Sequence, residues 1–365
     1  MSNQCELYGW DVSPYTEKVK KYYEYKRIPY RYINPSYITL SRKIKSVAGK
    51  IIMPVVFDDD GTALQDSSVI INHFENRYPD KPIVPASPEL KIVCLMMELF
   101  GDEWLPMASL HYRWNYPENY DFIISEFGSN ALPYTPKFIQ NFLGRKIGRL
   151  LSGYLPKLGI TEKTQEAFEV VVERFLGLLD AHFEHHNYLL CGQPTLADFS
   201  VYGQLYAHLH RDPYPEDMIR KHTHVMRWVN TINDISNADT SGGLFEDEFP
   251  ESLRAILSFM CNQQAPLLRQ SIAGVIEWSK DQPSGAAIPR RIGEAEIVFD
   301  AVSETRLNTT YPYWMFKQIQ DAFFNMAPKE QELVKELLKQ FKIDDLFETP
   351  LTTQVELKKT RLYIK

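Results

Sequence analysis

The sequence predicts an α/β unit at the N-terminus, an all-helical region after it, and an α+β extension at the C-terminal end. Three observations lead there. Residues 4–80 alternate short apolar runs with helical segments. Pro79, Pro82, Pro85 and Pro88 fall within ten positions, a stretch that no helix crosses and that stiffens a linker. Beyond it the pattern is helical until about position 262, where the composition shifts and strand-like alternation returns. The expected divisions are 1–80, 89–261 and 262–365.

Cys5-Glu6-Leu7-Tyr8-Gly9 reads as a strand ending at a glycine. Ser13-Pro14-Tyr15-Thr16-Glu17 reads as a helix start, because Ser caps, Pro is tolerated in the first turn and an acid follows. That helix runs to Lys26. Pro29–Ile33 is the second strand, and 41–48 a short helix closed by Gly49. Met53–Phe57 and Ala63–Gln65 are strands joined through Asp60-Gly61, a hairpin signal. Asp66-Ser67-Ser68 caps a helix through Tyr78. Later helices are expected over 89–105, 136–155, 162–185, 195–210 and 217–235. The stretch 106–136, rich in Pro, Asn and aromatics, reads as irregular. A strand is expected over 294–302 and helix over 311–342; the tail from 347 shows no period. The aromatics of 313–324 are too many for a free surface helix, so this region should pack against the helical domain or against a second subunit and not hang as a tail.

Composition narrows the function. Apolar residues make up 44% and charged residues 24%, as in ordinary globular chains, which excludes collagen-like, disordered and disulfide-miniprotein classes. No run of ~18 apolar residues predicts a membrane span, and the N-terminus lacks the pattern of a secretory leader. Forty basic against 47 acidic residues give a net charge of −7, which repels phosphates and argues against nucleic acid as a partner. Cys5, Cys94, Cys191 and Cys261 are widely spaced, with no Cys-x-x-Cys; reduced thiols in a cytoplasmic protein are expected.

Ser13 stands where a helix begins, so its hydroxyl and the positive helix end can stabilise a thiolate; simple capping is the plainer role. Asp66 and Ser67 stand at another helix start, suited to an ammonium and a carboxylate, or to capping alone. Three motifs then occur in order. They are Leu7-Tyr8-Gly9 with Ser13-Pro14-Tyr15 and Lys18-Val19; Met53-Pro54-Val55 with Asp60-Gly61 and Gln65-Asp66-Ser67-Ser68; and Gly192-x-x-Thr195-Leu196-Ala197-Asp198. Together they resemble the glutathione transferase superfamily over residues 4–235.

The resemblance implies a thioredoxin-like N-terminal domain followed by an all-helical domain that carries the second-substrate site. It implies an enzyme using glutathione as co-substrate against a small-molecule electrophile, with no membrane partner, acting as a homodimer. Ser13 would be the catalytic thiolate donor, with Tyr8 its rival. Met53, through its backbone before a cis Pro54, would pair the cysteinyl part of glutathione; Gln65, Asp66 and Ser67 would hold its γ-glutamyl end. Tyr15, His111, Tyr112 and Trp114, with Arg113 among them, would line the second-substrate pocket, local packing being the alternative. Thr195 and Asp198 read as a capping box outside the site. His182 and His186 have i, i+4 spacing but lack a ligand set, so no metal is expected. Glu246-Asp247-Glu248 reads as a solvated acidic turn. A non-catalytic scaffold carried by the long C-terminal region is the second reading. A thiol-disulfide reductase is disfavoured because it needs a cysteine where Ser13 stands.

Overall fold

The computed structural model describes residues 4–245 and 249–365, the side chains of 215–217 excepted; the acidic run 246–248 lies outside the described residues. At the N-terminus, β1 (Cys5–Tyr8) pairs in parallel with β2 (Tyr30–Ile33) and antiparallel with β3 (Val55–Phe57), and β4 (Ala63–Gln65) returns beside β3. The sheet order is β2-β1-β3-β4. A parallel pair needs a crossover, and α1 (Pro14–Lys26) supplies it. Gly61, with φ +86°, makes the β3–β4 turn. Between β2 and β3 the expected single helix is three pieces: α2 (Tyr37–Thr39), a π turn at Leu40–Ile44, and α3 (Lys45–Ala48), which stops at the left-handed Gly49. With α4 (Ser67–Arg77) this is the thioredoxin-like domain.

Helices follow: α5 (Pro88–Glu103), α6 (Pro106–Trp114), α7 (Tyr120–Ala131), α8 (Lys137–Ser152), α9 (Gln165–Phe183), α10 (Leu196–Gln204), α11 (Pro213–Ile219), α12 (Thr223–Asn233) and α13 (Glu251–Ser279). The stretch expected to be irregular holds α6, a 3₁₀ turn at Pro117–Asn119 and α7. Pro106 opens α6 and Pro117 the turn, positions where a missing N–H costs nothing. The helix expected over 217–235 is likewise two, α11 and α12.

Contacts group the described chain into two compact units. One holds the residues up to Ile83 with Pro106–Tyr154 and Asp198–Asp239; the other holds Val84–Leu105, Leu155–Ala197 and Thr240–Lys365. The boundary expected at 262 falls inside α13, because that helix runs unbroken through Pro266. In the first unit an apolar cluster of Tyr8, Trp10, Val12, Leu40, Ile44, Val55, Ile123 and Phe127 joins the sheet to α7. α7 and α8 approach closely through glycine: a Cβ on Gly144 would lie 2.2 Å from the Ile124 carbonyl oxygen, and one on Gly128 2.3 Å from that of Gln140.

In the second unit Phe100 of α5, Trp104 just past its end, Phe168 and Phe175 of α9 and Phe259 of α13 pack into one core. The C-terminal extension builds on it with the hairpin β5 (Arg291–Phe299) and β6 (Val302–Thr309), then α14 (Tyr311–Phe324), α15 (Pro328–Gln340) and the hairpin β7 (Val355–Lys358) and β8 (Arg361–Ile364). Phe299 packs on Phe168, while Phe316 and Phe323 are buried edge-on to Phe347. The aromatic face of α14 is therefore interior.

Candidate functional site

Strand register brings the first two motifs to one edge of the sheet. Tyr8 ends β1 opposite Val55, which begins β3, and Val55 lies opposite Gln65, which ends β4. Neighbouring strands lie ~4.8 Å apart. The chain leaves β1 toward Ser13, enters β3 from Met53-Pro54 and leaves β4 into Asp66-Ser67, all at this edge. The Met53–Pro54 peptide is cis.

Ser13 is the N-cap of α1. Its Oγ accepts from the Thr16 amide at 3.3 Å, and its own hydroxyl proton has no acceptor among the described residues. Capping uses an oxygen lone pair, so the serine can cap and still donate. The loop that carries it is held from several sides. Trp10 Nε1 donates to the Pro35 carbonyl at 2.9 Å, and the Tyr32 hydroxyl donates to the Gly9 carbonyl at 2.9 Å. Arg113 Nη1 donates to the Val12 carbonyl at 3.0 Å. Two glycines permit the approach: a Cβ on Gly9 would sit 2.3 Å from Thr16, and one on Gly203 2.4 Å from the Pro14 carbonyl oxygen. One turn into α1, Glu17 is buried and paired with Lys20 at 2.8 Å; burial foremost raises its carboxyl pKa, against the pull of Lys20.

Tyr8 is otherwise engaged. Its hydroxyl donates to Glu6 Oε2 at 2.7 Å and accepts from Lys43 Nζ at 2.6 Å. Burial foremost raises its pKa. The Tyr8 proton is thus directed to Glu6, whereas that of Ser13 is uncommitted among the described residues.

Asp66 is the N-cap of α4, with φ +88°. Its Oδ1 accepts from the Ser68 amide at 3.0 Å and the Val69 amide at 3.3 Å. Ser67, the first residue of α4, is buried, and Gln65 is half-buried. Neither the Ser67 hydroxyl nor the Gln65 amide has a hydrogen-bond partner among the described residues, so both can serve a ligand at the positive end of α4.

The residues expected to line a second-substrate pocket are divided. Tyr15 is half-buried on α1. Trp114, half-buried, stacks on Phe127 at 6.0 Å. His111 and Tyr112 are buried, and His111 Nδ1 bonds the Asn115 amide at 2.8 Å. These two pack locally, the alternative the sequence left open, and present no surface to a ligand here. Arg113 is not free to meet an anionic substrate. Its Nε and Nη2 meet Asp212 at 2.7 and 2.8 Å, and Nη2 also donates to the Ala207 carbonyl at 2.6 Å. Burial foremost raises the Asp212 pKa, against the pull of Arg113. Sequence reasoning missed this pair because no spacing links positions 113 and 212.

His182 is buried, with Nδ1 against the Ser252 hydroxyl at 2.9 Å and Nε2 against the Tyr188 carbonyl at 3.3 Å. Burial, aided by His186, pushes its pKa down to about 4. An unfolded histidine takes its proton near 6.5. Between those values the unfolded state binds more protons, so stability is present above pH ~6.5 and is lost as pH falls toward 4. We expect this residue to contribute a loss of ~3 kcal/mol across that window. Urea unfolding of wild type and His182→Gln at neutral and acid pH checks it: the variant should show the shallower pH slope, and equal slopes would refute the assignment. The four cysteines are free thiols. Among the described residues, no helix is long and apolar enough to cross a membrane.

Parts of this chain are similar to known proteins. Residues 7–82 match the family model of the glutathione S-transferase N-terminal domain, and residues 164–235 that of the nuclear-export cofactor Arc1p. The isoprene-epoxide–glutathione S-transferase of Rhodococcus sp. (strain AD45) is 27% identical over 199 residues, 53% of this chain and 79% of that protein. Glutathione S-transferase U3 of Arabidopsis thaliana is 25% identical over 122 residues, 33% of this chain; the match spans about half of that relative's length, 54%. A glutathione S-transferase structure from Rhodospirillum rubrum F11 aligns with TM-score 0.41 and 16% identity, covering 68% of this chain and 97% of that one. One from Ceriporiopsis subvermispora in complex with glutathione aligns with TM-score 0.44 and 15% identity, covering 66% and 100%.

Proposed function

We propose that this chain, which belongs to the glutathione transferase superfamily, binds glutathione at the edge where β1, β3 and β4 meet and activates its thiol beside Ser13 for attack on a small electrophile. The observation that most supports this is the strand register, which aligns Tyr8, Val55 and Gln65, the strand ends next to which Ser13, the cis Met53–Pro54 and Asp66-Ser67 follow in the chain. Asp66 suits the γ-glutamyl ammonium; Ser67 and the start of α4 suit its carboxylate. The cysteinyl backbone would pair with Met53. The sulfur would then lie near the start of α1, where the helix dipole favours the anion and Ser13 Oγ–H donates one charge-assisted hydrogen bond. The thiol gives its proton to solvent; with an epoxide the thiolate attacks a ring carbon, the C–O bond breaks as the C–S bond forms, and the resulting alkoxide takes a proton from solvent. The Rhodococcus relative's name makes a small epoxide the first electrophile to assay. The same reading includes a homodimer and a cytoplasmic location, as the family likeness implies. A scaffold role is not favoured, since a scaffold needs neither the uncommitted Ser13 proton nor an unpartnered Ser67.

Calorimetry with glutathione tests the anchor. Asp66→Asn keeps a good N-cap but removes the charge. We expect binding to weaken by ~1–3 kcal/mol with the melting temperature unchanged. Unchanged affinity, or glutathione seen elsewhere in a crystal soak, would remove Asp66 from the site.

A further inference from the structure

The outer face of α8 is anomalous. Its inner face is already used: Gly144 and Gly148 are buried, while Leu143, Ile147 and Leu151 pack on the apolar cluster. Yet Phe138 is 73% exposed, Phe142 71%, Leu150 65%, and Tyr134 just before the helix 98%. Positions 138, 142, 146 and 150 follow i, i+4 spacing and share one ridge. Arg145, Lys146 and Arg149 are exposed beside it, and none has an ion-pair partner among the described residues. No Asp or Glu occurs from 127 to 154, in a chain of net charge −7. Aromatics followed by unpaired cations, on a helix with low overall hydrophobicity, are the makings of an interfacial helix.

We infer that α8 docks this protein on an anionic lipid surface, with Phe138, Phe142 and Tyr134 entering the headgroup boundary and Arg145, Lys146 and Arg149 meeting lipid phosphates. Charge decides the occupant. A second copy docked symmetrically through α8 brings the same patch, with its cations and no carboxylate, and so neutralises none of them, whereas an acidic membrane does. This is attachment in the plane of the interface, distinct from the spanning helix that the sequence argues against, and it does not depend on the glutathione reading.

Cosedimentation of the full chain tests it, using phosphatidylcholine vesicles with and without ~30 mol% phosphatidylserine. Binding should require phosphatidylserine and weaken with added salt. Arg145→Gln/Lys146→Gln/Arg149→Gln should lower partition roughly 10²-fold. Phe138→Ser/Phe142→Ser should lower it at least ~10-fold, with melting temperature held because the replaced rings are exposed. Equal binding with and without phosphatidylserine, or variants that bind like wild type, would overturn the inference. So would no vesicle binding alongside a dimer, by size-exclusion chromatography, that the Phe138→Ser/Phe142→Ser variant dissociates.

Discussion

Ser13→Ala should lower glutathione-dependent turnover about 10²-fold while affinity for glutathione holds. The change removes one hydroxyl from the start of α1, and that hydroxyl's proton has no other acceptor among the described residues. Lost stabilisation of the anion appears in the chemical step, because neutral glutathione does not need the bond as much. The variant also loses the Thr16 cap, about 1 kcal/mol of stability, so turnover is to be measured well below the melting temperature. Ser13→Cys should replace conjugation with mixed-disulfide chemistry, since a thiol at a helix start is itself readily ionised. Wild-type turnover in Ser13→Ala would end the assignment and return attention to Tyr8.

Arg113→Met should destabilise the protein by ~3–5 kcal/mol, the cost of leaving a buried partner charge unpaired. Arg113 is 2% exposed and Asp212 0%, so water cannot replace the lost pair. The Val12 and Ala207 carbonyls lose their donors as well. Arg113→Met/Asp212→Leu should recover most of the loss, because a well-packed apolar pair often matches a buried ion pair. Arg113→Lys keeps the charge but not the fork, so it should fold yet release the Val12 carbonyl and loosen the loop before Ser13. Urea unfolding of the three variants measures this; a single-variant loss under ~1 kcal/mol would show the pair to be solvated.

Much of the N-terminal domain was legible in the sequence because its signals are local. Ser13-Pro14 starts α1 by capping, Asp60-Gly61 turns a hairpin, and Gly49 stops a helix with φ 77°. The first two motifs of the candidate site stood out for the same reason, each lying beside a strand end. What brings the motifs together, the pairing of Tyr8 with Val55 and of Val55 with Gln65, is non-local and is seen only in the register. Residues 106–131 were misread because proline and asparagine at helix starts look like loop composition. β6 carries too many polar residues to show alternation, and β7 and β8, four residues each, are too short to show a period; all three are held by hairpin pairing. His111 and Tyr112 looked like a ligand surface because burial cannot be read from an aromatic cluster alone. Trp104, in that same run, belongs to the core of the other unit.

The central claim is that this edge binds glutathione and ionises its thiol through Ser13. Titrating the ultraviolet thiolate band of enzyme-bound glutathione against pH tests it most directly. The thiol should titrate well below the ~8.5 of a free cysteine, and Ser13→Ala should return it toward that value. A bound thiol that titrates like a free one in wild type, or identically in wild type and Ser13→Ala, would contradict the account.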